Sequence, residues 1–262
     1  MATLAPAPQQ RISDDRFFLI TAFAIAALFV AGFTNQLAAG RSSFASPPIV
    51  HVHAIVFFGW VTIFVTQAAL VARGSIALHR RLGWLGLGWS VAMVGVAIAL
   101  MLHIVRGGTV PFFFQPQQFL IGNLSSVFAF AGLTWAAVAM RRRTDWHRRL
   151  HVAGITLILG PAFGRLLPMP LLVPWAFQIA FGASAIALFI IVLLDVRRTG
   201  HLHPAWRVGL SVSVATMIIA QLIAFSPLGA ATYQLASSGS AGAQIDPLAF
   251  AAPQANGRVT GR

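Results

Sequence analysis

Apolar runs of about 18 or more residues recur along this chain, and each is long enough to cross a ~30 Å hydrocarbon core. Such runs must be helical in lipid, because a lone strand would leave its backbone polar groups unpaired. They fall at residues 17–37, 51–72, 82–105, 118–140, 150–167, 171–194 and 208–225. The pattern predicts an all-α polytopic membrane helix bundle of about seven transmembrane helices over residues 17–228. Residues 1–16 are a polar amino-terminal tail. From Gly229 the chain turns to Ala, Ser, Gly and Gln, and residues 229–262 are expected to be a mobile tail.

The first run reads as a retained anchor and not as a cleaved leader. It exceeds the roughly 7–15 residues of a signal-peptide core, and Gln36-Leu37-Ala38 lacks the small-x-small cleavage pattern.

Composition then removes several chemistries. Only 9% of the residues are charged, against roughly 25% in soluble domains. Cysteine is absent, which excludes thiolate catalysis, iron–sulfur clusters and c-type haem attachment. Lysine is absent, which excludes a retinal-type Schiff base. Glutamate is absent, and the aspartates at 14, 15, 145, 195 and 246 lie outside the apolar runs. A carboxylate relay at mid-membrane has no residues to use.

The net charge of +13 is carried by arginine. Thirteen of the 18 arginines fall in the amino-terminal tail and in 73–81, 141–149 and 195–207. By the positive-inside rule these segments face the cytoplasm, which puts the amino terminus inside and the carboxyl terminus outside. Arginine beside apolar runs points to anionic lipid headgroups, not to nucleic acid. Localisation in a bacterial inner membrane follows as the expectation.

An internal repeat organises the bundle. Arg73 to Leu82 and Arg141 to Leu150 align without gaps, both ending His-Arg-Arg-Leu, with Gly86 and Gly154 in register behind them. A weaker copy runs from Arg197 to His203. Each copy would be the cytoplasmic turn of a helix hairpin, giving three tandem hairpins behind an amino-terminal helix.

The histidines gather at the two predicted faces: His79, His147, His151, His201 and His203 inside, His51, His53 and His103 outside. Imidazole is the usual axial ligand of b-type haem. His79 with His151, or His53 with His103, are the candidate haem-binding pairs. Gly83, Gly86, Gly95 and Gly154 lie on the same helix faces, where a macrocycle needs room. For His147, His201 and His203 an interfacial anchoring role is the simpler reading. His51, His53 and His103 form an alternative metal-binding set at the outer face. Arg165, after Pro161, is expected to bind a carbonyl freed by the proline, or a lipid or haem propionate. Gln67, Asn123, Gln178 and Gln221 read as interhelical hydrogen-bonders.

The stretch His51-x-His53 … Trp60 … Gln67 … His79-Arg-Arg-Leu-Gly83, continuing to His147-Arg-Arg-Leu150 and Pro161-x-x-x-Arg165, resembles a group of uncharacterised bacterial multi-pass membrane proteins. More distantly it resembles the two-haem transmembrane cytochromes reduced by ascorbate. The resemblance spans about residues 48–168. The cytochrome likeness implies a four-helix core passing electrons between two b-type haems, with ligands from alternate helices. His79 and His151 match that pairing inside, and His53 matches outside. Gln117 and Gln118 stand where the outer partner would be, so the outer haem is either lost or held by His103.

The reading is therefore a membrane protein of redox type, relaying electrons to a redox partner through haem b and doing no bond chemistry of its own. The rivals are a non-enzymatic scaffold or transporter and an outer-face metal-binding protein. A transporter is disfavoured by the lack of mid-membrane charge and of an evident broken helix.

Overall fold

A computed structural model describes residues 8–252, with side chains from Asp14 onward. Among the described residues the chain is all-helical. In order the helices are α1 (Pro8–Ala38), α2 (Pro48–Ala72), α3 (Ile76–Gly107), α4 (Pro116–Ala139), α5 (Thr144–Leu157), α6 (Gly160–Leu166), α7 (Ala176–Thr199), α8 (Pro204–Ala224) and α9 (Pro227–Ser237). Six of them, α1–α4, α7 and α8, are long and apolar enough to cross a membrane.

The surface agrees with a lipid setting. Ile20, Ile55, Val91, Phe189, Ile218 and Leu222 stand more than half exposed on these helices, far more apolar surface than a soluble monomer leaves in contiguous patches. Inside, Trp60, Met93, Phe130, Ile155 and Leu188 form one packed core between α2, α3, α4, α5 and α7.

The predicted span 150–167 is not one helix. α5 stops at Leu157, and α6 starts at Gly160 with Pro161 in its first turn. Proline lacks the N–H that would bond the Leu157 carbonyl, and its ring clashes with that carbonyl, so the helix must break. The chain crosses the gap on shorter bonds, Ile158 N–H to Ile155 O at 3.3 Å and Leu159 N–H to Thr156 O at 3.2 Å. A broken helix therefore does exist here, and that objection to a transporter falls.

The hairpin reading holds in part. α2 packs along α3, and α4 along α5, but α8 lies mainly on α4 and α5 and less on α7. The third hairpin is consecutive in sequence without being the dominant packed pair.

Both tails differ from expectation. α1 begins at Pro8, well ahead of Phe17, while residues 1–7 lie outside the described residues. After α8 the chain is built into the fold: α9 and a short 3-10 turn (Ala241–Gln244) pack on α3. Tyr233 is 3% exposed and donates its hydroxyl to Gly242 O at 3.1 Å. Gln117 N–H bonds Pro247 O at 2.9 Å. Ser226 starts α9 as a cap, accepting from Gly229 N–H ahead of Pro227. The polar composition of 229–252 reflects small residues that allow close backbone contact, not an unfolded tail. Residues 253–262 lie outside the described residues.

Candidate functional sites at the two ends of the bundle

At the arginine-rich end the repeat has a structural meaning. His79 and His147 are each the fourth residue of their helices, α3 and α5. Packing of α4 against both helices brings the two rings to 6.1 Å, edge to face. His151, one turn further along α5, lies 4.7 Å from His147, again edge to face. The sequence pairs His79 with His151; the structure puts His147 in contact with both. His147 was read as an anchor, and its repeat position was the signal that it belonged to this cluster. Its Nδ1 lies 2.8 Å from Ala137 O. Burial pushes its imidazole below the ordinary value of 6.5; the Ala137 bond opposes this, and the charges of His79 and Arg141 add to the lowering.

This cluster does not fit a macrocycle. A side chain at Gly83 would meet Gln67 at 3.2 Å, at Gly86 Ile63 at 3.3 Å, and at Gly154 Thr134 at 3.4 Å. Gly83, Gly86 and Gly154, expected to make room for haem at this end, are already covered by neighbouring helices, while a side chain at Gly95 on α3 would meet nothing within 4 Å.

The same end holds a feature the sequence did not disclose. Asp195 on α7 is fully buried and accepts from Arg149 of α5 at 2.9 Å, from Trp206 of α8 at 2.7 Å and from Arg198 at 2.5 Å. Arg198 and Arg148 both pair with Asp14 of α1. Arg148 also pairs with Asp145, whose carboxyl burial would raise; the Arg148 bond and charge outweigh that and hold it below its ordinary value. These arginines, read as headgroup anchors, are instead committed to a lock joining α1, α5, α7 and α8. His203, read as an anchor, caps α8 by accepting from Ala205 N–H at 3.1 Å, and its ring lies 5.7 Å from Trp146.

The opposite end contains a cavity of about 460 Å³, within the usual range for a small-molecule site. Ile158, Gly160, Pro161 and Gly164, at the α5–α6 break, line it. A side chain at Gly164 would meet nothing within 4 Å. Phenylalanines from α1, α2, α4 and α7 and apolar residues of α3 line it as well. His51, His53, His103 and Arg165 all line this one cavity.

They do so unequally. His51 Nε2 lies 3.2 Å from Phe44 O, which ties it to the α1–α2 loop. His103 is exposed on α3. His53 is half-buried and stacks on Phe57 at 4.0 Å. Among the described residues no three histidine or aspartate side chains converge into a set that could hold a metal ion, and the outer-face metal reading finds no geometry in its favour.

Arg165 is held in place from three sides. Its Nη1 donates to Pro161 O at 2.8 Å, the carbonyl of the breaking proline itself. Its guanidinium lies over the Phe33 ring at 4.2 Å. Asn35 donates to its backbone carbonyl at 2.8 Å. α1 can come so close because Gly32 faces α6: a side chain there would stand 2.7 Å from Ala162 O. No carboxylate pairs with Arg165 among the described residues.

Comparison with protein-family models, curated proteins and solved structures finds no match.

Proposed function

We propose that this chain is a multi-pass protein of a bacterial inner membrane, amino terminus cytoplasmic, that holds an apolar ligand inside the helix bundle at its arginine-poor end. The cavity of about 460 Å³ between α1–α4 and the α5–α6 break carries this reading. Apolar walls with a few polar groups are the usual make-up of a ligand site, and here those groups include the Arg165 guanidinium, the imidazoles of His51, His53 and His103, and the side chains of Gln36, Asn123 and Ser126. The arginine lock at the other end ties four helices together and leaves the cavity end as the part built around space.

The test is extraction. Protein purified from membranes in mild detergent is expected to carry a stoichiometric apolar compound, found by organic extraction and mass spectrometry. Gly164→Leu, which projects into the open space, is expected to lose it while keeping the fold. Protein that carries nothing beyond bulk lipid and detergent, with no effect of Gly164→Leu, would sink the reading.

A b-type haem is the second reading, and His53 favours it. Its imidazole borders the cavity and stacks on Phe57, and its ring nitrogens would be the donors to a metal centre. Haem b would supply one-electron transfer to a redox partner. His53 would hold the iron and Arg165 would face a propionate. A Soret band that disappears in His53→Ala and persists in His79→Ala supports this version; a colourless preparation from haem-replete cells removes it.

A further inference from the structure

We infer that the ligand of this cavity is an amphiphile with a single carboxylate head, and that Arg165 receives that head; this rests on the cavity being a ligand site. Among the described residues Arg165 is the only arginine lining the cavity, and no aspartate lines it. A cation in such a wall is costly unless something neutralises it. The protein supplies a carbonyl at Pro161 and the face of Phe33, which orient the guanidinium without cancelling its charge. One Nη1 bond to Pro161 leaves the rest of a five-donor fork, the geometry that a carboxylate meets with two parallel hydrogen bonds.

The occupant follows from charge and shape. A single cation calls for a single negative charge, and the chain has no lysine with which to gather a second. The cavity that holds the guanidinium is mostly apolar, with Phe29, Phe57, Phe113, Phe119 and Phe181 in its wall. An acid head at Arg165 with a hydrocarbon or ring body among these phenylalanines satisfies both. Ser42, Ser43 and Ser46 of the α1–α2 loop also line the cavity.

The experiment compares heads on one body. Delipidated full-length protein in detergent is titrated with palmitate, hexadecanol and hexadecyl phosphate, each competing against a fluorescent polyene fatty acid. The expected result is palmitate binding about ten-fold or more tighter than hexadecanol, the scale of a charge-assisted pair. Arg165→Gln should remove that preference while hexadecanol still binds, and Arg165→Lys should keep part of it. The melting temperature of each variant confirms that the bundle is intact. Equal binding of palmitate and hexadecanol to the wild type overturns the carboxylate assignment and leaves the cavity reading standing. Tighter binding of the phosphate replaces carboxylate by phosphate and likewise overturns the assignment. No binding of any probe, unchanged by Gly164→Leu, overturns the cavity reading itself.

Discussion

Arg149 of α5 donates through Nε to Asp195 of α7 at 2.9 Å, and both side chains are buried, Asp195 completely. Trp206 and Arg198 bond the same carboxylate, so each of its oxygens is satisfied from a different direction. A buried pair of this kind is costly to form and more costly to break, because the surviving partner is left as an uncompensated charge.

Asp195→Ala is therefore expected to destabilise the protein by about 3–5 kcal/mol, and Arg149→Met by a similar amount. The double variant Arg149→Met/Asp195→Leu should lose less than the two single losses added together, because no orphan charge remains. Thermal or denaturant unfolding in detergent, read as a double-mutant cycle, checks this. Additive losses would show that the pair is not the linking element.

The His79–His147–His151 cluster should make stability depend on pH. His147 is held below 6.5 in the folded state, mainly by burial. Below that value the unfolded chain takes up a proton that the folded chain resists, so stability falls as pH drops from 6.5 toward the folded value. Above 6.5 both states are neutral and the contribution is flat. Melting temperatures between pH 7.5 and 5 should show the decline, and His147→Gln should reduce its slope. An unchanged slope in the variant would place the acid sensitivity elsewhere.

Gly32→Val is expected to push α6 away from α1, since even a Cβ at that position stands 2.7 Å from the Ala162 carbonyl. Overpacking of this sort costs about 1–3 kcal/mol. It should also displace the Arg165 guanidinium from Phe33 and lower retention of any ligand. Gly164→Ala, where nothing lies within 4 Å, is the control and should leave stability nearly unchanged or slightly raised, as alanine favours helix.

Tyr233 tests the carboxyl-terminal segment. Tyr233→Phe removes only the hydroxyl bond to Gly242 O, at a cost of about 1 kcal/mol. Tyr233→Ala empties a buried ring site beside Val105 and Leu100, at about 3–5 kcal/mol. If α9 is docked as described, Tyr233→Ala should expose 227–252 to limited proteolysis while Tyr233→Phe does not. Equal rapid cleavage of the wild type would show that the docking is not maintained.

The residues divide into those whose roles could be read from spacing and those whose roles could not. His51, His53 and His103 were legible as one group because hydrophobic span lengths place them at a common depth, while Arg165 was read apart from them, through its proline. His147 was not separated from its neighbours, because an interfacial histidine and a clustered one share the same local sequence. Asp195 was dismissed as a loop residue: it closes an apolar run beside arginines, and nothing local says that α1, α5 and α8 will bury it. Pro161 was visible, yet its effect was placed too weakly, and the run was read through it.

Sequence alone determined the all-helical, membrane-type architecture, since long apolar runs without charge have no other way to satisfy their backbone in lipid. Pro161 removes a helix hydrogen bond, which kinks or breaks a helix, but that α5 ends at Leu157 and α6 starts afresh at Gly160 was decided by the tertiary structure. Tertiary structure decided which faces meet: that α8 leans on α4 and α5, that 229–252 folds back onto α3, and that the glycines beside the histidine cluster are packed against neighbours while the Arg165 end keeps a cavity. Those outcomes depend on pairing between helices distant in the chain, and apolar periodicity is nearly uniform around a helix with lipid on one side and protein on the other. The signal that would name the buried face is what a membrane helix does not carry.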